Sequence, residues 1–191
     1  MLVLAMRVGG IAPDWTTTSL SIQPDSFLIV SAEIAVAFIG FASLVGVFAS
    51  RGNGKLSLSA YISLRALLDY GLISLFASGL PLLLAMSALE STYLWPVASA
   101  TSVAAWATYV ILSRPYYREI AEELSRAPSL QTRVFLFGDA ASMFLVFLNA
   151  LGVVFEPNAV VYCAGAVAWR LAGAAFSFRS LIDEIWSKPS E

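Results

Sequence analysis

The chain of 191 residues contains no histidine. The commonest general base and the commonest transition-metal ligand are therefore missing. The single cysteine, Cys163, lies inside an apolar run. One chain can thus form neither a disulfide nor a Cys-x-x-Cys site, and Cys163 reads as a small buried hydrophobe. Charge is scarce too: 13% of residues are charged, where soluble domains carry about 25%. The 11 basic and 13 acidic residues leave a net charge of −2, with no basic surplus to favour nucleic acid. No nucleophile–base pair is legible, so neither an enzyme, a metal site nor a cofactor is expected.

What is abundant is apolar. Hydrophobic residues make up 59% of the chain and the mean hydropathy is +0.78. Repeated apolar runs near 20 residues long point to an all-α integral membrane protein with the lipid bilayer as its solvent. Five spans are expected, at about 27–49, 61–88, 94–112, 134–155 and 159–181, preceded by an extracytoplasmic leader (1–26) and followed by a cytoplasmic tail (182–191). The leader's apolar start is too short to span and lacks the preceding basic residue of a secretory signal. Trp15 and the threonines after it suit an irregular or interfacial segment. Pro24-Asp25-Ser26 reads as a turn and N-cap for the first span.

Gly52-Asn53-Gly54 punctuates the loop after span one. The short connection from Glu90 to Tyr93 makes spans two and three a tight antiparallel hairpin, with Tyr93 and Trp95 at the aromatic belt. Span three is rich in Ala, Ser and Thr, which suits close packing. Ser113-Arg114-Pro115 is expected to stop it. A short cytoplasmic amphipathic helix then falls within 116–127, with Tyr117, Ile120, Ala121 and Leu124 on one face and Arg118 spaced to pair with Glu122. It reads as a solvated linker helix or as a docking surface for a cytoplasmic partner. Glu156-Pro157-Asn158 forms the second short turn, with Asn158 as N-cap.

Lys and Arg alternate between loops. Arg51 and Lys55 follow span one; Arg114, Arg118, Arg126 and Arg133 follow span three; Arg179 and Lys188 end the chain; the loops after spans two and four carry none. The N-terminus is therefore expected outside and the C-terminus in the cytoplasm.

Five ionisable residues fall inside the spans: Glu33, Arg65, Asp69, Asp139 and Arg170. Each costs at least ~2.5–3.5 kcal/mol near mid-membrane, so pairing is expected. Arg65 and Asp69 stand one turn apart on one helix. Arg133 and Asp139 point about 240° apart, so Asp139 needs a partner on another helix, and Arg170 is the first choice. Asp69 and Asp139 should both lie roughly 10 Å in from the cytoplasmic side, with Arg170 deeper but able to snorkel toward them. Arg65, Asp69, Asp139 and Arg170 then form either a neutral cluster that specifies helix docking or a cytoplasm-facing ion or proton path. Glu33 shares a face with Ala37 and Gly40 in the outer part of span one. It is expected to point into the bundle or a cavity, as a proton or cation site or as a helix–helix hydrogen-bond partner. Pro81 has no N–H, leaves the carbonyl of Ala77 without its helical partner, and predicts a kink.

Spans two and four share a layout: Arg65 then Asp69, and Arg133 then Asp139, each followed by a short acidic turn and a small-residue-rich return. This faint repeat reads as two hairpins plus one extra helix.

The run from Ser63 to Leu84, with Arg65, Asp69 and Pro81-Leu82-Leu83-Leu84, together with the later Trp169-to-Ile182 run, resembles a group of small uncharacterised bacterial inner-membrane proteins. The resemblance implies a bacterial inner membrane and no particular activity. Arg133, Phe137, Gly138 and Asp139 are similar to the Arg-x-x-x-Phe-Ser-Asp signature of a family of bacterial and lysosomal potassium channels. That likeness implies a pore-lining helix with Arg133, Phe137 and Asp139 as anchors. Gly138 departs from the signature, and the motif stands in span four rather than span one. Two functions are compatible with these features: a homo-oligomer that conducts or senses an ion or proton, and a structural or assembly protein whose buried charges only specify packing.

Overall fold

Pro24 opens the first helix. Its fixed φ suits a first helical position and its missing N–H costs nothing there; Asp25 sits in the same turn, at the positive end of the helix dipole. The turn and N-cap expected at Pro24-Asp25-Ser26 thus give way to a helix that starts at Pro24. The computed structural model describes residues 23–51, 57–87, 89–124, 130–153 and 158–187. All regular structure among them is helical: α1 (Pro24–Arg51), α2 (Leu58–Ala85), α3 (Ser91–Leu124), α4 (Leu130–Ala150), α5 (Asn158–Tyr162), a π-helical turn (Cys163–Ala168) and α6 (Trp169–Ser187). The leader, the Gly52-Asn53-Gly54 loop, the Glu156-Pro157 turn, the tail from residue 188 and the side chains of 115–133 lie outside the described residues. The expected face and ion pair of the 116–127 segment fall there.

Four stretches among the described residues are long and apolar enough to cross a membrane: Pro24–Phe48, Ser59–Ala85, Ser91–Arg114 and Asn158–Glu184. In α4 the apolar portion is shorter, Phe137–Ala150. Several helix ends differ from expectation, among them those at Pro115 and after Ala150. α3 does not stop at Pro115 but continues to Leu124, so the 116–127 segment begins as its extension. A proline removes one backbone bond and strains one turn, and helices that lean on neighbours or reach water tolerate that loss. α4 ends at Ala150, short of the expected 155. There Gly152 takes φ +69°, Val153 N–H donates to the Leu148 carbonyl (3.1 Å) and Gly152 N–H to that of Asn149 (3.1 Å). This is a Schellman stop, which only a residue comfortable at positive φ provides cheaply.

Cross-helix contacts give the arrangement. Ile39 meets Gly71 and Gly46 meets Leu64, so α1 and α2 run antiparallel. Asp69 bonds Tyr109 while Ala77, through Tyr162, is linked to Ser102, so α2 and α3 do too. Asp139 bonds Trp106 and Asn149 bonds Ser99, reversing α4 against α3. Ser57 caps α2 by accepting from Ala60 N–H (3.1 Å) and donates to Glu184 near the end of α6 (2.7 Å). The chain therefore goes up and down as five antiparallel rods, the last containing the π turn. α2 is the central one. Its inward stripe is Ala60, Leu64, Leu67, Gly71, Ser74, Ala77, Ser78 and Pro81, spaced for one helical face. One cluster of core residues gathers around Leu67, Leu64, Ala174 and Leu181, the other around Tyr162, Met143, Val146 and Val167.

Candidate functional site

The site is built where α3, α4 and α6 meet. Asp139 stands ten residues into α4 and Arg170 at the second position of α6. The Arg170 side chain is 1% exposed and donates from Nη1 to Asp139 Oδ1; the Asp139 side chain is 16% exposed. Trp106 Nε1–H donates to the other carboxylate oxygen at 3.2 Å. The guanidinium carbon also lies 5.9 Å from the Trp106 ring centroid, within cation–π range. One indole thus supports both members of the pair.

Two glycine contacts make this junction possible. A Cβ on Gly138 would run into the ring of Trp169. A Cβ on Gly165 would lie 2.7 Å from Val146 Cγ2 and 3.1 Å from the Ser142 carbonyl. These bare backbones let α4 and the last rod approach until Asp139 and Arg170 touch. The π turn comes just before Arg170, and three successive residues in it, Gly165, Ala166 and Val167, are buried. A widened turn admits one extra residue and rotates the helix beyond it. Here it lies between two anchored side chains, Tyr162 above and Arg170 below.

Tyr162 supplies what Pro81 takes away. Its hydroxyl donates to the Ala77 carbonyl at 2.7 Å, the group four residues before Pro81 that has no helical N–H to accept. Ser102 Oγ lies 3.0 Å from the same phenol oxygen. With the phenol proton committed to Ala77, Ser102 is the donor there.

The second acid–arginine pair lies nearer the end of the bundle where Ser57 meets Glu184. Arg65 Nε stands 3.7 Å from Asp69 Oδ2, with the side chains 37% and 22% exposed. At that distance it is an ion pair without a hydrogen bond. The short bond to Asp69 comes from Tyr109, whose hydroxyl donates at 2.6 Å. Trp106 and Tyr109, three residues apart on α3, therefore each hold one of the two acids. Tyr70 and Tyr109 are both close enough to Arg170 to interact with it electrostatically.

Against expectation, the four charged residues resolve into two pairs joined through α3 aromatics. Arg65 meets Asp69, as their one-turn spacing predicts, and Asp139 meets Arg170, the partner expected on another helix. Glu33 does not point inward. It is exposed, as are Ala37, Gly40 and Ser43, while α1 buries Leu28, Ser31, Ala35 and Ala42 instead. Packing decides the rotation: Ile39 on this inner side fills the space at Gly71, where a Cβ would lie 2.9 Å from it. Phe137 is 77% exposed, and the Arg133 side chain lies outside the described residues. Asn158 begins α5 with its side-chain oxygen unpartnered and its carbonyl bonded to Asn149 Nδ2 (3.1 Å), so it does not cap with its side chain. Trp106, Tyr109, Ser102 and Tyr162 escaped the sequence reading. Only Trp106 gave a signal, as a polar-tipped aromatic well inside a span, away from the interfaces where such residues usually gather.

A cavity of about 180 Å³ adjoins the pair. Leu72 and Phe76 of α2, Ser102 and Trp106 of α3, Met143 of α4 and Arg170 are among its lining. Arg170 Nε and Nη2 are buried without a hydrogen-bond partner. No group of three or more potential metal ligands exists among the described residues. Comparison with known protein families, curated proteins and solved structures finds no match for this chain.

Proposed function

We propose that the chain is a five-span protein of a prokaryotic cell membrane, N-terminus outside and C-terminus cytoplasmic, that senses or conducts a proton or small ion through its inner charge layer. The observation that carries this reading is Arg170: a guanidinium 1% exposed, with two donors unpaired, beside a cavity. A pair kept only for packing is stable when every donor is satisfied, and a half-satisfied one is worse than an apolar contact. Asp69, with its side chain 22% exposed, and the adjoining Tyr109 supply the approach from the cytoplasmic end. Asp139 is the inner carboxylate. Self-association is part of the proposal. The outward face of α1 combines Glu33 with Ala37 and Gly40, and an acid facing lipid is costly enough to favour a second copy over it. The 116–127 segment remains the candidate contact for a cytoplasmic partner.

The packing-only reading has its own support in Trp106 and Tyr109, which satisfy both acids. Liposomes carrying the purified protein separate the two. Proton or ion flux that is lost in Asp139→Asn and reduced in Asp69→Asn is expected. Absence of any proton, cation or anion flux, with both variants merely less stable, overturns the conducting reading.

A further inference from the structure

The cavity beside the charged pair has carbon walls: Leu72, Ile73 and Phe76 of α2, Ala105 of α3, Met143 of α4 and Ala166 of the π turn. The polar groups among its lining are engaged or covered. Ser102 Oγ bonds the Tyr162 phenol, which itself donates to the Ala77 carbonyl. Trp106 Nε1–H and Arg170 Nη1–H both donate to Asp139. The other Arg170 nitrogens, Nε and Nη2, are buried, with almost no accessible surface. What faces the space is therefore mainly carbon, the Trp106 ring included. Water held in a cavity needs about 2–4 polar partners, which carbon walls do not supply. An ion brought here without a partner would meet a still higher cost.

Size and depth narrow the occupant further. At about 180 Å³ the space is slightly larger than an engineered apolar cavity of about 150 Å³ that takes up benzene. It is partly open. Leu72 and Phe76, one turn apart on α2, line it and are also exposed on the outer surface of the bundle. Ala105, on α3, is half-buried. Leu72 is the middle residue of Ser59–Ala85, and Ser102 stands at the middle of Ser91–Arg114. In a membrane, this mouth lies at the centre of the bilayer, roughly 15 Å from either edge of the hydrocarbon core. What is concentrated at that depth is hydrocarbon: the ends of lipid chains, and small apolar molecules dissolved among them.

We propose that this cavity is a binding site for uncharged hydrocarbon of about benzene's volume, supplied as the end of a lipid chain or as a small apolar molecule dissolved in the bilayer. The ligand enters past Leu72 and Phe76 and lies against Met143 and the Trp106 ring. It makes no bond to Arg170. The indole it touches is the one that holds Asp139, so the hydrocarbon site and the charged pair share a wall. The inference goes beyond the proposed function: it rests on the membrane part of that reading and not on flux.

Bromobenzene tests this, because bromine quenches the fluorescence of an indole it touches. The full chain is titrated with bromobenzene in nanodiscs and in detergent, and the Trp106 contribution is the difference between the wild type and Trp106→Phe. A saturable loss of most of the Trp106 emission is expected. Ala105→Phe fills the space and should remove that saturable loss; Ala105→Leu does the same with a smaller side chain if the phenyl ring prevents folding. Bromobenzoate, which is charged, should give no saturable loss. No saturable loss in the wild type, an undiminished loss in a folded filled variant, or saturation by bromobenzoate as strong as by bromobenzene each overturns the proposal. Nanodiscs of lipids brominated at their chain ends separate the two sources. Trp106 quenching there that benzene relieves assigns the site to a lipid chain. Saturable bromobenzene quenching without any quenching by those lipids assigns it to a free molecule, and either result supports the hydrocarbon site. Saturable quenching in detergent by a chain that does not insert into nanodiscs sinks the membrane reading alone, whereas insertion without saturable quenching sinks this inference alone.

Discussion

The two acid–arginine pairs have the same chemistry and opposite structural consequences. Arg65 and Asp69 stand four residues apart on α2, separated by 3.7 Å and partly exposed. An i,i+4 pair can hold one helix but cannot hold two together, and is worth only about 0.3–0.5 kcal/mol. Asp139 and Arg170 come from different rods, and Arg170 is fully buried. This second pair ties α4, whose apolar portion is the shortest among these helices, to the last rod. Where a helix buries little apolar length, a charged tie supplies the specificity that greasy packing gives elsewhere. Arg65 and Asp69, the outer pair in the sense of being the more exposed, are attached to the bundle by an aromatic, Tyr109, and the buried inner pair attaches the bundle to itself.

Breaking the inner tie should have the largest effect. Asp139→Ala leaves Arg170 buried without its counter-charge and is expected to cost ~3–5 kcal/mol. Asp139→Leu combined with Arg170→Met removes both charges and should recover most of that loss. Reversible unfolding in mixed micelles measures both. A double variant as unstable as the sum of the single ones would show that the two residues act separately.

The fit that brings the rods together comes next. Gly138→Ala puts a methyl group into the Trp169 ring and should cost about 1–3 kcal/mol as overpacking. Trp169→Leu in the same chain should relieve it. Gly79→Ala offers the contrast, because a Cβ there meets nothing within 4 Å. It should gain roughly 0.5–1 kcal/mol from helix propensity.

The contrast between these glycines also shows what was legible beforehand. Apolar run length was enough to predict an all-helical chain with several helices long and apolar enough to cross a membrane. The rule that a buried acid needs a partner was enough to pair Asp139 with Arg170 across 31 residues. Spacing did not reveal the rotation of α1, since its small residues fit either side and Ile39 against Gly71 chose. Nor did it reveal the π turn, which depends on where Tyr162 and Arg170 are held at once. The stops at Pro115 and after span four were misjudged for related reasons. A proline is a weak stop when the helix leans on neighbours, and a glycine at positive φ is a strong one.

Tyr162 tests that idea at a smaller scale. Tyr162→Phe strands the Ala77 carbonyl and is expected to cost about 1 kcal/mol, in the range of side-chain hydrogen bonds between helices. Pro81→Ala returns an N–H to that carbonyl, so the same Tyr162→Phe change should cost less in a Pro81→Ala background. The thermodynamic cycle of the four proteins measures the coupling. Equal costs in both backgrounds would mean that the phenol is not replacing the helix's own bond.

The smallest effect belongs to the outer pair and completes the comparison. Arg65→Gln removes a charge partner at 3.7 Å that is 37% exposed, and solvent screening limits the loss to no more than about 0.5 kcal/mol. Tyr109→Phe removes the 2.6 Å bond that links Asp69 to α3 and should cost more, about 1 kcal/mol. The ordering matters more than either value, because it asks what attaches Asp69 to the rest of the molecule. If Asp69 belongs to α3 through Tyr109, unfolding should respond to Tyr109→Phe and scarcely to Arg65→Gln. If Arg65→Gln proves the more damaging, the outer pair is structural in the same sense as the inner one, and burial does not separate their roles.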